Sequence, residues 1–147
     1  TGQVVFSPDS EHLAYRMQEN GIWHVVMDGK PGPGFDLARM PIFSPDSRTL
    51  AYTAVKSEQM HMVKNHVAGK AYDQVGIPWF SPDSQHMVYR AKKDGKWLLI
   101  VDGKESKIRF DGFFNDLPVV FEDNLCRTLA LRSSEEGVDF YRYEVRF

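Results

Sequence analysis

The sequence predicts an all-β fold, and three observations carry that prediction. The pentapeptide "FSPDS" stands at residues 6–10, 43–47 and 80–84, always 37 residues apart. Between the copies lie short runs rich in β-branched and aromatic residues, the composition of strands. Turn dipeptides separate the runs, among them Asp28-Gly29 and Asp102-Gly103. Asp-Gly between apolar runs signals a hairpin, because a tight hairpin turn needs positive φ. Helical spacing is sustained nowhere, and no run reaches the ten or so residues of a packed helix.

The 37-residue offset also carries Leu13 to Leu50 to Met87, Tyr15 to Tyr52 to Tyr89, and Trp23 to Met60 to Trp97. A fourth, degenerate unit has "FEDN" at 121–124 in place of the pentapeptide, while "RTLA" at 48–51 returns verbatim at 127–130. That return, at an offset of 79, predicts five inserted residues. The units are expected at about 1–40, 41–77, 78–117 and 118–147.

Each unit reads as four strands. The first ends on the pentapeptide (4–6, 41–43, 78–80, 118–121), and the second follows it (12–17, 49–55, 86–91, 127–132). The third covers 22–27, 59–64, 96–101 and 138–145. The fourth leads from a turn into Phe35, Tyr72 or Phe110, and the last unit lacks it. Tandem units of about 37 residues with four antiparallel strands are the arithmetic of β-propeller blades.

That frame assigns the pentapeptide. Proline cannot donate to a β-ladder, so Ser-Pro ends a strand, and Asp and Ser oxygens then bind nearby amides to close a turn. Ser7, Pro8 and Asp9, Ser44, Pro45 and Asp46, and Ser81, Pro82 and Asp83 are therefore expected to be structural turns. A catalytic serine would need a base repeated with it, and none recurs.

The stretches "FSPDSEHLAY", "FSPDSRTLAY" and "FSPDSQHMVY" resemble the WD-repeat-like repeat of TolB and related bacterial propellers, with an aromatic residue, Ser-Pro-Asp, a small residue and Leu-Ala-Tyr. The fourth unit departs from the pattern, as does Asn65-His66, which stands where Asp-Gly is expected. The resemblance implies a propeller that binds proteins, or the non-catalytic domain of a serine peptidase, in a periplasmic or secreted setting rather than the cytoplasm. It transfers no catalytic residues.

Four blades with fifteen strands leave no terminal strand to close a ring. Three solutions follow: a piece of a longer propeller, a subunit completed by copies of itself, or a tightly twisted four-bladed ring. An unclosed array exposes its terminal blades, so homo-oligomerisation through the first and fourth units is expected.

Composition bounds the function. The chain has 147 residues, 42% hydrophobic and 13% aromatic, enough for a core. A net charge of −2 argues against nucleic-acid binding, and no apolar run approaches the roughly 18 residues of a membrane helix. Cys126, the single cysteine, has no internal disulfide partner. Thr1 at the start, without Met or a signal peptide, is expected of a trimmed or processed chain.

No cofactor or metal site is expected. His12 and His86 share one repeat position and His24 and His61 another, which spreads them over separate blades, whereas a zinc ion needs converging ligands. Asp36, Asp73 and Asp111 follow aromatic residues and are expected near the outer strand of each blade, as repeated turn contacts. "GKPGPG" at 29–34 lacks the strand-to-helix context of a phosphate loop.

Function in a repeat protein sits where units differ. Lys92, Lys93 and Lys96 make the hairpin of the third unit basic, and an insertion at 111–116 places Phe113 and Phe114 side by side, as a lid or as an exposed anchor. Both lie at strand-linking loops of one propeller face. The expected function is a non-catalytic scaffold for a protein or peptide. The alternatives are the propeller of a prolyl-oligopeptidase-like serine peptidase and a self-associating structural repeat.

Overall fold

The structure is a computed structural model that describes residues 3–113 and 118–147. It is all-β: four antiparallel sheets follow one another along the chain, each a propeller blade, and they do not close into a ring.

Blade 1 is β1 (Val4–Phe6), β2 (Leu13–Glu19), β3 (Ile22–Met27) and β4 (Lys30–Pro31), paired in that order. Blade 2 is β5 (Leu37–Ala38) with β6 (Ile42–Phe43), then β7 (Leu50–Lys56), β8 (Gln59–Lys64) and β9 (Val67–Tyr72). Blade 3 repeats it with β10 (Gln74–Val75), β11 (Trp79–Phe80), β12 (Met87–Lys93), β13 (Lys96–Val101) and β14 (Lys104–Glu105). Blade 4 has β15 (Gly112–Phe113), β16 (Val120–Glu122), β17 (Leu125–Ser134) and β18 (Gly137–Arg146).

The innermost strands begin earlier than the sequence suggested. β5, β10 and β15 pair with the far half of the second strand, and β6, β11 and β16 pair with its near half. The gap between each pair of segments contains Pro41, Pro78 or Pro118, which has no N–H for the ladder. The sheets therefore divide near residues 36, 73 and 111, a few residues ahead of the expected boundaries. Asp36, Asp73 and Asp111 thus stand between the end of one blade's outer strand and the inner strand of the next blade.

The repeated "RTLA" misleads. Leu50 pairs with Phe43 as Cys126 pairs with Phe121, and Ala54 pairs with Ala38 as Ala130 pairs with Phe113. The structural offset between blades 2 and 4 is thus 76, with two residues inserted instead of five. An odd slip sends a side chain to the opposite face of a strand. Leu50 is 1% exposed and Leu129, its match in spelling, is 36% exposed. The "FEDN" corner is also shorter than the others: Glu122 pairs with Leu125 across a two-residue turn in which Asp123 has φ 45°.

Successive blades share three apolar cores. Ala14, Val25, Trp23 and Phe35 of the first sheet and its connection meet Phe43, Leu50, Tyr52 and Ala54. Ala51, Met60, Met62 and Tyr72 meet Phe80, Met87, Tyr89 and Leu98. Val88, Trp97, Leu99 and Phe110 meet Phe113, Cys126, Ala130 and Tyr143. Each large side chain buried this way contributes about 1.5–3 kcal/mol. Of the positions that recur in the sequence, Tyr52, Tyr89, Trp23, Met60 and Trp97 lie in these seams, and Tyr15 does not.

Candidate functional site

The Ser-Pro-Asp corners recur in three of the four blades with the same hydrogen bonds. Ser7 Oγ donates to Asp9 Oδ1 at 2.5 Å, Ser44 to Asp46 at 2.6 Å and Ser81 to Asp83 at 2.5 Å. Each hydroxyl also accepts the amide that opens the second strand, from His12, Thr49 and His86, all at 2.9 Å. Each carboxylate takes a further amide, from Glu11, Arg48 and Gln85. The Ser hydroxyls first, then these amides, hold the carboxyls of Asp9, Asp46 and Asp83 below the usual carboxylate range. Ser7, Ser44 and Ser81 are buried, with the hydroxyl proton directed to a carboxylate that is itself occupied. That arrangement suits a corner. The last serine of the motif adopts positive φ, 63°, 65° and 61° at Ser10, Ser47 and Ser84, which turns the chain into the second strand.

The turn between third and fourth strands is tied to the same end of the blade. Asp28, Asn65 and Asp102 each accept the amide of the residue opening the second strand's ladder: Leu13 at 3.0 Å, Leu50 at 2.8 Å and Met87 at 2.9 Å. Asparagine supplies the same oxygen as aspartate, which accounts for Asn65. The histidines follow suit. His12 Nδ1 lies 2.8 Å from Asp28 and His86 Nδ1 lies 2.7 Å from Asp102, and in blade 2 both partners change together, to Thr49 and Asn65. The hydrogen bond to Asp28 raises the His12 pKa above its ordinary value. His24 and His61 donate from Nδ1 to the carbonyls of Gly32 and Gly69, at 2.9 and 3.0 Å, pinning the outer strand. His66 packs over Gly32 of the preceding blade, with its Nδ1 3.3 Å from the Tyr52 hydroxyl.

Asp9, Glu11 and His12 bring one potential ligand atom each within 4.8 Å of one another on the exposed rim of blade 1, a grouping the sequence reading passed over. Asp9 Oδ1 there already serves Ser7 and the Glu11 amide, and His12 Nδ1 serves Asp28.

At the opposite end, Asp36, Asp73 and Asp111 accept the amides of Ser57, Asp94 and Ser133 at 2.7, 3.0 and 2.7 Å, clasping each blade's central hairpin to the start of its inner strand. Here the structure brings the two sequence-distinct loops together. Lys96 forms an ion pair with Asp111, Trp97 meets Phe113 edge-to-face at 6.4 Å, and Lys92 lies 5.9 Å from the Trp97 ring. Lys93 is exposed. Phe113 is 8% exposed and paired to Ala130 in β15, so it is a packing residue and is not presented to a partner. Its aromatic neighbours and the inner-strand ladder draw it inward. Phe114 lies outside the described residues.

A polar slot escaped the sequence reading. Arg16 donates to the Ala38 carbonyl at 3.0 Å, Thr53 to the Gly76 carbonyl at 3.0 Å and Arg90 to Thr128 Oγ1 at 2.8 Å, each bridging to the next blade. Arg90 is 4% exposed, with its guanidinium 4.9 Å from both the Trp79 and Phe113 rings, and burial lowers its pKa. The Arg–Thr–Arg recurrence at 37-residue spacing was the available signal. The surface also carries apolar grooves. One of about 400 Å³ lies between blades 2 and 3, lined by Met62, Asn65, Val67, Met87, Tyr89 and Asp102. Another of about 390 Å³ lies on blade 4, over Pro118, Val120, Leu129 and Arg142.

No protein-family model and no curated protein matches the sequence. Among solved structures, the β-propeller domain of the Trilobed protease from Pyrococcus furiosus, described as having an open velcro topology, aligns with a TM-score of 0.58 at 12% identity. The alignment covers 99% of this chain and 57% of that one, so the chain spans a little over half the neighbour's length. A putative 6-phosphogluconolactonase from Bacteroides uniformis aligns with a TM-score of 0.48 at 9% identity, over 99% of this chain and 55% of that one. The first likeness shows the propeller fold.

Proposed function

We propose that this chain is a non-catalytic β-propeller scaffold that binds an acidic protein or peptide segment through the loops around the third blade's central hairpin. One observation carries the proposal. The polar side chains that recur from blade to blade are committed to backbone amides and inter-blade bridges, whereas the hairpin of residues 92–96 concentrates three lysines, where blade 2 has Lys56 alone, at the position of Lys93. Lys93 at its tip is exposed, and Lys92 and Lys96 are held beside it by Trp97 and Asp111. The resemblance of the Ser-Pro-Asp repeats to those of TolB-like propellers favours a protein partner in a bacterial periplasmic or secreted setting. Isothermal titration with a poly-glutamate peptide tests it. Binding that weakens about tenfold or more in Lys93→Glu, and with rising salt, is expected, while titration heats unchanged by that substitution contradict the proposal.

A second reading draws on the protease propeller that the chain resembles in fold: a substrate-gating domain attached to a serine peptidase. In that reading the propeller contributes no nucleophile, and activity belongs to polypeptide beyond these 147 residues. A fluorogenic peptide screen on the polypeptide with its natural flanking sequence tests it. Hydrolysis abolished by a serine-directed fluorophosphonate supports this reading, and its absence removes it.

A further inference from the structure

The two ends of the blade array are built differently. In blades 2 and 3, the face toward the preceding blade presents Phe43, Leu50 and Tyr52, and Phe80, Met87 and Tyr89, all in the apolar seams. Blade 1 carries the same side chains at the same positions, Phe6, Leu13 and Tyr15, but no described blade covers them, and Phe6 is 63% exposed. Ser10 matches as well. Ser47 and Ser84 accept the amides of Asp9 and Asp46 of the preceding blade at 3.1 and 2.9 Å. Ser10 has the same positive φ and an exposed side chain.

Blade 4 ends otherwise. Its outward face has Arg127 where Ala14, Ala51 and Val88 are buried, and Arg142 where Val25, Met62 and Leu99 are buried. Those arginines are tied to carboxylates: Arg127 to Glu122 and, at 2.8 Å, to Glu144, and Arg142 to Glu144 at 3.1 Å. Packing an apolar blade against that lattice would desolvate four charges at once, a penalty of several kcal/mol per ion. The same face also exposes Val120, Leu129 and Phe140, so it is mixed, with charge at the positions where the other blades are aliphatic.

We infer that the open face of blade 1 is an interface for one more blade of the Ser-Pro-Asp type, joined ahead of it in the same polypeptide. Covalent continuity is how every blade here is added: Asp36, Asp73 or Asp111 alone separates the last aromatic residue of one blade from the inner strand of the next. The occupant presents small aliphatic positions flanked by a large apolar residue, like Ala51 with Met60, and an aspartate amide that reaches Ser10. A second copy docking head-to-tail would offer blade 4's charged lattice and does not meet that requirement.

The experiment duplicates residues 37–76 ahead of Gln3, which preserves the spacing by which blade 2 enters blade 3. In the joined chain, Phe6→Ala is expected to lower Tm by at least about 5 °C, as a buried phenylalanine would. In the unmodified chain, Phe6→Ala and Ser10→Ala are expected to shift Tm by less than about 1 °C. An equal, small effect of Phe6→Ala in both chains overturns the inference. So does an unmodified chain in which Phe6→Ala costs as much as Phe43→Ala, a comparison that holds whether or not the joined chain folds. Sedimentation that finds the unmodified chain as a dimer, dispersed by Phe6→Glu, assigns the face to a second copy and equally overturns it.

Discussion

Ser47 of the second blade accepts a hydrogen bond from the backbone amide of Asp9 in the first, at 3.1 Å, and Ser84 repeats the contact with Asp46 at 2.9 Å. The motif that closes a corner within one blade thus also fastens that corner to its neighbour. Its first serine works within the blade and its last serine works between blades.

Replacing Ser47 or Ser84 by alanine is expected to destabilise the chain by about 1 kcal/mol each, the net value of a typical hydrogen bond. Ser10→Ala is the matched control, because it shares the positive φ but not the inter-blade contact. Urea denaturation checks this, with Ser10→Ala expected to stay within about 0.5 kcal/mol of the parent.

The register of the fourth blade predicts unequal outcomes at two leucines in identical "RTLA" settings. Leu50→Ala should cost about 2–5 kcal/mol, since the side chain sits in the first seam. Leu129→Ala, on the outward face of blade 4, should cost no more than about 1 kcal/mol. Paired denaturation curves decide; equal losses would mean that spelling, not register, governs the fourth blade.

A methyl group at residue 32 would overlap the His66 ring, which lies against the Tyr52 hydroxyl. Gly32→Ala is therefore expected to destabilise by roughly 1–3 kcal/mol, the usual scale of overpacking. His66→Ala should relieve most of that loss when the two are combined. A double-mutant cycle measures the coupling.

Stability should respond to pH with opposite signs at the two kinds of turn. The carboxyls of Asp9, Asp46 and Asp83 are depressed in the folded chain, so their contribution is in place above the ordinary value of 3.8 and is lost as pH falls through the lowered values. The difference in stability between the parent and Asp46→Asn should accordingly shrink as pH falls below that value. His12 is raised by Asp28, so its contribution is in place below the ordinary value of 6.5 and is lost as pH rises through the raised value. Circular dichroism melts across pH 5–9 should show that slope in the parent and its disappearance in His12→Gln.

The fold was legible because every level repeats: 37-residue spacing, corner chemistry and strand composition agree, and only a blade satisfies all three. What the sequence concealed was register. "RTLA" matches by letters while the inner-strand ladder slips by three residues, because a ladder is fixed by pairing and by which face is apolar. Proline at 41, 78 and 118 masked the first half of each inner strand, whose two-residue segments carry too little pattern to be seen. At the candidate face, the lysines of residues 92–96 were visible as a departure from the repeat. That Phe113 faces inward was not, since its orientation is set by Trp97, Phe110 and Arg90 on another blade.

Backbone amide exchange at His12, Thr49 and His86, followed by NMR, tests the corner assignment most directly. These amides donate to Ser7, Ser44 and Ser81 at 2.9 Å, so slow exchange is expected at all three, with Ser44→Ala releasing Thr49 alone. Fast exchange at all three in the parent chain, or a Thr49 amide still protected after Ser44→Ala, would contradict the assignment.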